Sequence, residues 1–271
     1  MSFKKGDRLD MRNWCPISLL NVNYKLAAQA IAGRLLKVIH LVVAEDQTCG
    51  VPGRYIGENV AFLRDVVSYA TMFDSPVAIL SLDQEKAFDR VDWSFMYATL
   101  CRMGFGTSFL QWVYLFYTGV QSSVNVNGYL SPFSSLSRGV RQGCPLSLLL
   151  YVLVAEVLAC NIRANPRIKG LCLPGQSDAI SPISQYADDT SLIVCSDDAI
   201  SASFNVYDVY ERGSGSRLNL SKSKVFGLAL GPIVLTRWLA LTGRQLKLRF
   251  LGFSWAPRTY MMIIGSPALR L

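Results

Sequence analysis

The chain has 271 residues, 51% hydrophobic and 17% charged, with a formal net charge of +8. That balance excludes a disordered chain, and the length suits one large domain or two small ones around a sizeable core. The excess of Lys and Arg favours a polyanionic partner, nucleic acid or an anionic surface. Seven Cys without a C-x-x-C pair, beside the single His40, exclude an ordinary zinc site and read as reduced thiols.

In chain order, the N-terminus MSFKKGDRLDMRNW lacks the apolar core of a signal peptide. Residues 19–43 carry apolar side chains at helical spacing, with Lys25, Arg34 and Lys37 on the outer face, and predict one amphipathic helix. A turn-rich segment, EDQTCGVPGRYIGEN, leads to a helix over 59–69. VAILSL, residues 77–82, is a buried strand running into Asp83. Helices follow over 92–103, capped by Asp92, and 109–117. SSVNVNGYLSPF is a hairpin turning at Asn127-Gly128 in a type I′ turn. RGVRQGCPLS is a Gly/Pro loop before a helix over 148–163. The most apolar run, residues 146–155, is too short to span a bilayer. A second hairpin carries Asp188-Asp189 at its tip, and a helix over 199–212 has Asp197-Asp198 as its cap. The pattern loosens from Gly231 onward, and Glu85, Asp89, Asp92 and Glu156 read as surface charges or caps.

The stretch SQYADDT sets two adjacent carboxylates between strand-like runs. Two readings are open: a solvated turn, or a site for a divalent cation that relieves the repulsion. Asp83 ends a solid apolar strand, where a sheet presents its chemistry. If that strand neighbours the acidic hairpin, three carboxylates meet at one point. Two cations roughly 3.5–4 Å apart there would suit phosphoryl or nucleotidyl transfer.

Taken together, the segments resemble the reverse transcriptase of non-LTR retrotransposons, over residues 4–226 in order. NWCPISLLNVNYKLAAQAIAGRL and EDQTCGVPGRYIGENV are similar to fingers motifs, and AILSLDQEKAFDRVDW to the motif bearing the first catalytic Asp. RGVRQGCPLS resembles the template and nucleotide loop, and YADDT the catalytic hairpin. SGSRLNLSKSK resembles the lysine-bearing motif, and LRFLGFSW faintly the primer grip.

The resemblance implies an α+β right-hand polymerase: a palm of small antiparallel sheet and backing helices, helical fingers, and a thumb largely missing. Residues 1–228 would form fingers and palm, and residues 229–271 the palm end, a primer-grip remnant and a frayed C-terminus. It implies an RNA-directed DNA polymerase that works with an RNA template, a DNA primer and dNTPs. No membrane partner and no zinc site are implied. Asp83, Asp188 and Asp189, with the Gln84 carbonyl, would hold two Mg²⁺ ions, or Mn²⁺ in their place. Lys222, at the N-x-x-K spacing after Asn219, would protonate pyrophosphate, with Lys224 its rival.

Phe88 is either the gate against a 2′-hydroxyl or a ring packed under Trp93. Gln142 and Gly143 would lie along nucleotide and template, Arg54 and Arg64 would meet phosphate, and Tyr186 would pack near the primer end.

Three departures stand out: Cys15 where the family carries Arg, Leu148 where it carries Pro, and a match that fades after Phe226. They are those of a truncated or decaying copy, whose alternative role is an inactive RNA-binding remnant. Another palm enzyme, an RNA-copying polymerase or a nucleotide cyclase, is the third reading. The expected location is inside the cell, in cytoplasm or nucleus.

Overall fold

The computed structural model describes residues 2–3, 7, 9, 14–15, 17–172, 180–228, 250–252 and 259–263. The Cys15 side chain and most of LRFLGFSW lie outside that set, as do the other residues of 229–271.

Short strands β1 (Ser2–Phe3) and β2 (Trp14–Cys15) pair antiparallel ahead of helix α1 (Val22–Leu35). Asn21 caps α1 by accepting from the Asn23 N–H at 2.9 Å, which leaves Leu19 and Leu20 outside the helix. Its buried face, Ala28, Ile31, Ala32 and Leu35, follows the i, i+3, i+4, i+7 rule. The helix predicted to reach residue 43 ends eight residues earlier. Lys37 and Val38 donate to carbonyls three residues back, at 3.2 and 3.0 Å, and a 3₁₀ turn follows at Ile39–Leu41. The run of β-branched residues at 38, 39, 42 and 43 crowds an α-turn and accounts for the early stop.

Helix α2 (Ile56–Met72) precedes β3 (Val77–Leu82), the one-turn α3 (Ala87–Arg90), α4 (Trp93–Arg102) and α5 (Thr107–Tyr117). Asp92 caps α4 as expected, accepting from the Phe95 N–H at 2.9 Å. Two small ladders come next: β4 (Gln121–Ser122) with β7 (Ser134–Ser135), and between them β5 (Asn125–Val126) with β6 (Tyr129–Leu130). Asn127 and Gly128 take φ of 50° and 87°, the pair of positive values a type I′ turn demands.

Helix α6 (Ser147–Ala164) is buried nearly all round. It is long and apolar enough to cross a bilayer, beyond the shorter run read from sequence, but 67% of it is buried by the rest of the chain. It is the core helix. Strands β8 (Ile183–Tyr186) and β9 (Asp189–Val194) form the acidic hairpin, followed by α7 (Asp197–Ser214), β10 (Lys224–Leu228), β11 (Phe250–Gly252) and β12 (Thr259–Ile263). The cap of α7 is Ser196, not the Asp pair. Its Oγ accepts from the Ala199 N–H at 3.1 Å, and Asp197 and Asp198 sit in the first turn, at the positive end of the helix dipole.

One six-stranded sheet, in the order β11-β12-β10-β3-β9-β8, organises the chain, antiparallel at every junction. Alternation along β3 and β9 splits their side chains between two cores. Ala78, Leu80, Leu82, Leu192 and Val194 face α4, α6 and α7, whereas Val77, Ile79 and Ile193 face Val66 and Ala70 of α2. The last strand pair continues the sheet, since all five residues of β12 pair with β10.

Candidate active site

β3 neighbours the acidic hairpin directly, pairing antiparallel with β9. Leu82 pairs with Thr190, so the next step along both chains sets Asp83 across from Asp189. Tyr186 pairs with Asp189, which leaves Ala187 and Asp188 as the turn of the hairpin. The three aspartates thus share one end of adjacent strands. The Asp83 side chain is 27% exposed, Asp188 is half-buried and Asp189 is exposed.

Ala187 sits at φ 52°, a conformation that costs a residue with a Cβ. Buried Gln47 holds it there. Its Oε1 accepts from the N–H groups of Ala187 and Cys49, both at 3.0 Å, and its Nε2 donates to the Ala187 carbonyl at 3.4 Å. Gln47 also bridges Gln185 in parallel, so the segment around it extends the sheet beyond β8. Asn59 of α2 ties in the same strand, donating to Ser184 Oγ at 2.7 Å and the Gln185 carbonyl at 2.9 Å while accepting from Thr48.

Behind this, Arg163 donates to both oxygens of Asp46, at 2.8 and 2.6 Å, and to Glu156. Glu156 is no surface charge: its side chain is 2% exposed, on α6. Burial pushes its carboxyl above the ordinary value, with Arg163 opposing. For Arg163, burial pulls down, but Asp46 and Glu156 outweigh it and keep the guanidinium charged.

On the other side of β3, the Asp83 N–H donates to Ser223 Oγ at 3.1 Å, and its carbonyl accepts from Asn219 at 2.8 Å. Glu85 donates to the Arg217 carbonyl at 2.7 Å. Backbone groups alternate along an extended strand, so the Gln84 carbonyl turns away from its bridge partner Leu218. Lys222 Nζ stands 3.8 Å from Asp83 Oδ1, while its rival Lys224 lies within β10, paired with Ser81 and Ile263.

Phe88 lies in the one-turn α3 just after β3. Its ring stacks on Tyr151 of α6, with centroids 4.8 Å apart and planes at 13°. Burial first, then neighbouring charges that include Asp188 and Asp189, pushes the Tyr151 hydroxyl well up. It stays protonated and donates to Gln84 Oε1 at 3.0 Å. The Phe88 ring and the Gln84 side chain are thereby joined through Tyr151.

The loop of Gln142 and Gly143 runs beside Phe88. Val140 donates to the Phe88 carbonyl at 2.7 Å, Gly139 to Val91 at 2.8 Å, and Gln142 Nε2 to Asp89 Oδ1 at 3.2 Å. Gly139 is obligatory there, because a Cβ would stand 2.9 Å from the Asp89 carbonyl oxygen.

Arg54 spends its guanidinium on the carbonyls of Val43, Ala44 and Gln47, and Arg64 pairs with its neighbour Asp65. Tyr186 is half-buried, its hydroxyl pushed up by the adjoining Cys49 thiol, whose own value burial raises.

Among the described residues, no three His, Cys, Asp or Glu side chains gather into a group that would hold a metal by itself. Hard oxygen donors facing one turn fit a different arrangement. Mg²⁺ is usually held by one or two carboxylates and completed by substrate phosphates and water. Without that charge the carboxylates repel, and Lys222 supplies the nearby positive charge. The carboxylates at this end of the sheet suit a hard divalent ion held by one or two of them.

Gln47, Asn59, Tyr151 and the Asp46–Arg163–Glu156 cluster were missed from sequence. Each has a partner far along the chain, apart from Glu156 and Arg163, which stand seven residues apart on α6. Only the buried position of Glu156 on an apolar helix carried a signal, as a charge inside a run otherwise without one.

Residues 3–255 match the family model described as reverse transcriptase (RNA-dependent DNA polymerase). The chain is 40% identical over 230 residues to the transposon TX1 uncharacterized 149 kDa protein of Xenopus laevis, covering 85% of this chain and 17% of that protein. It is 26% identical over 265 residues to the retrovirus-related Pol polyprotein from a type-1 retrotransposable element R2 of Popillia japonica, covering 92% and 36%. It therefore spans about a sixth and about a third of these two relatives. Among solved structures, the telomerase of Candida tropicalis with a TWJ fragment of telomeric RNA superposes at TM-score 0.54 and 10% identity, over 76% of this chain and 35% of that one. The Candida albicans telomerase gives 0.51 at 14% identity, over 75% and 34%. At such identities the likeness is one of fold.

Proposed function

The chain belongs to the reverse transcriptase family, in its non-LTR retrotransposon branch, and from that premise we propose that it extends a DNA primer with dNTPs along an RNA template. Reverse transcriptases use divalent metal ions. Asp83, Asp188 and the Gln84 carbonyl would hold them here, with Asp189 in support. Such ions, when bound, would lower the charge on the phosphates and favour the alkoxide form of the primer 3′-hydroxyl.

In the reaction the primer 3′-hydroxyl releases its proton to water, its oxygen bonds to the α-phosphorus of the dNTP, the bond from that phosphorus to the bridging oxygen breaks, and pyrophosphate leaves. Lys222 is the proton donor to the departing oxygen, being a cation beside the first carboxylate rather than locked into β10. The Phe88 ring, braced by Tyr151, excludes a 2′-hydroxyl. The Gln142–Gly143 loop, pinned to the backbone after Phe88, lines the nucleotide and template, and Tyr186 packs near the primer end. Residues 1–228 act as fingers and palm, with β11 and β12 as the palm's far edge. The free thiols of Cys49, Cys101, Cys144 and Cys160 suit a cytoplasmic or nuclear setting.

One observation carries this reading: the register that sets Asp83 against Asp189 beside the Asp188 turn. Cys15, at a position where the family carries Arg, favours the second reading, an inactive RNA-binding remnant. Primer extension on poly(rA)/oligo(dT) separates them. The expected result is Mg²⁺-dependent extension that falls more than about a hundredfold in Asp188→Asn. RNA binding without Asp188-dependent extension would leave only the remnant.

A further inference from the structure

Away from the aspartates, α1 and α5 meet over a cavity of about 300 Å³ lined in part by Arg34, Val38, Phe105, Phe109 and Trp112. Phe105 and Phe109 stack with centroids 4.8 Å apart, and Trp112 stands over Phe116 at 6.1 Å. The cavity is open: Trp112 is 42% exposed and Val38 41%. Large aromatic area left in solvent beside a guanidinium is costly for a surface with no partner.

Charge narrows the choice of occupant. Residues 22–44 hold Lys25, Arg34, Lys37 and His40 and no Asp or Glu, and residues 103–137 hold no charged side chain at all. Neither wall of the cavity therefore carries an acid. Arg34 and Lys37 are both exposed, and Arg34 has no ion-pair partner among the described residues. A membrane surface would ask for a broad apolar face rimmed by many cations. A pocket at the small end of ligand sites, with rings on its walls and one guanidinium at its rim, suits a single planar base. The rings offer a stacking surface, and Arg34 and Lys37 offer charge to the flanking phosphates.

We propose that this cavity is a docking site for an unpaired base of single-stranded RNA, stacked on Trp112, with Arg34 and Lys37 on its phosphates. The site rests on the reading that the chain works on nucleic acid, and it adds a contact surface outside the nucleotidyl-transfer centre. It would hold unpaired strand while paired strand occupies the palm.

The test is binding of single-stranded oligo(U) RNA to the full chain, read by anisotropy and by tryptophan fluorescence. Trp112→Ala should weaken binding about tenfold, the size of one lost stacking contact, while Trp112→Phe should restore it to within about twofold. Arg34→Gln should lower the slope of log affinity against log salt by about one. An abasic strand of equal charge should bind wild type and Trp112→Ala alike. Equal oligo(U) affinity for wild type and Trp112→Ala, with equal melting temperatures, overturns the site. Asp188-dependent extension by those same chains would still leave the polymerase reading standing. Conversely, Trp112-dependent binding without Asp188-dependent extension supports the site and removes the polymerase reading.

Discussion

Gln47 grips Ala187 at both ends of the residue, accepting from its N–H at 3.0 Å and donating to its carbonyl at 3.4 Å. The two residues are separated by 140 positions, yet the grip fixes the conformation of the turn that presents Asp188. Gln47→Leu keeps the volume but leaves buried N–H groups of Ala187 and Cys49 without an acceptor. The expected cost is about 1–3 kcal/mol of stability in a urea melt. Extension should fall further than that loss of folded protein explains, because the turn is freed. A variant with wild-type activity would show that the turn holds itself.

Lys222 and Lys224 are two residues apart; Lys222 stands 3.8 Å from Asp83 Oδ1, whereas Lys224 is the first residue of β10. Lys222→Ala should slow single-turnover nucleotide addition about a hundredfold, the usual contribution of a positioned acid, with little change in dNTP affinity. Lys224→Ala should leave the rate near wild type. Reversal of the two outcomes would transfer the proton-donor role to the strand residue.

Phe88 lies flat against Tyr151, so its ring has one face committed and little freedom to swing aside. Phe88→Ala should reduce the preference for dNTP over rNTP by about tenfold or more, since a hydroxyl then meets space instead of ring. An unaltered ratio would reduce the ring to a packing element.

The buried carboxyl of Glu156 gives stability a pH dependence of known sign. Its folded-state value is raised above the 4.5 of an ordinary Glu, chiefly by burial. The folded chain therefore holds this proton more tightly than the unfolded chain. Stability contributed by that proton is full below pH 4.5 and is lost as pH rises through the folded value. Urea midpoints measured upward from pH 4.5 should decline in wild type, and Glu156→Gln should flatten that part of the curve. Glu156→Ala, which removes a partner from Arg163, should cost about 3 kcal/mol. An unchanged slope in Glu156→Gln would assign it to other carboxyls.

Local chemistry explains which parts were readable beforehand. β3 came out at residues 77–82 as expected, because a buried central strand is a continuous apolar run between turn signals. Asp92 announced its helix, and Asn127-Gly128 its turn, because caps and turns are decided by a residue and its immediate neighbours. Ser196 displaced the expected Asp cap by one position, since either residue type satisfies the same N–H groups. Glu156 was misjudged because its place in an apolar run was read as a surface charge or cap, although Arg163 two turns along the same helix pairs with it.

The sequence by itself settled the order of elements, the apolar and basic balance, and the three aspartates with their motif spacing, all consequences of short-range preference and composition. Tertiary structure decided the rest. It set β3 against β9 in the register that opposes Asp83 and Asp189, brought Gln47 beneath the acidic turn, and placed Lys222 3.8 Å from Asp83. Those outcomes depend on pairing between segments more than a hundred residues apart, and no local pattern of side chains encodes a partner at that distance.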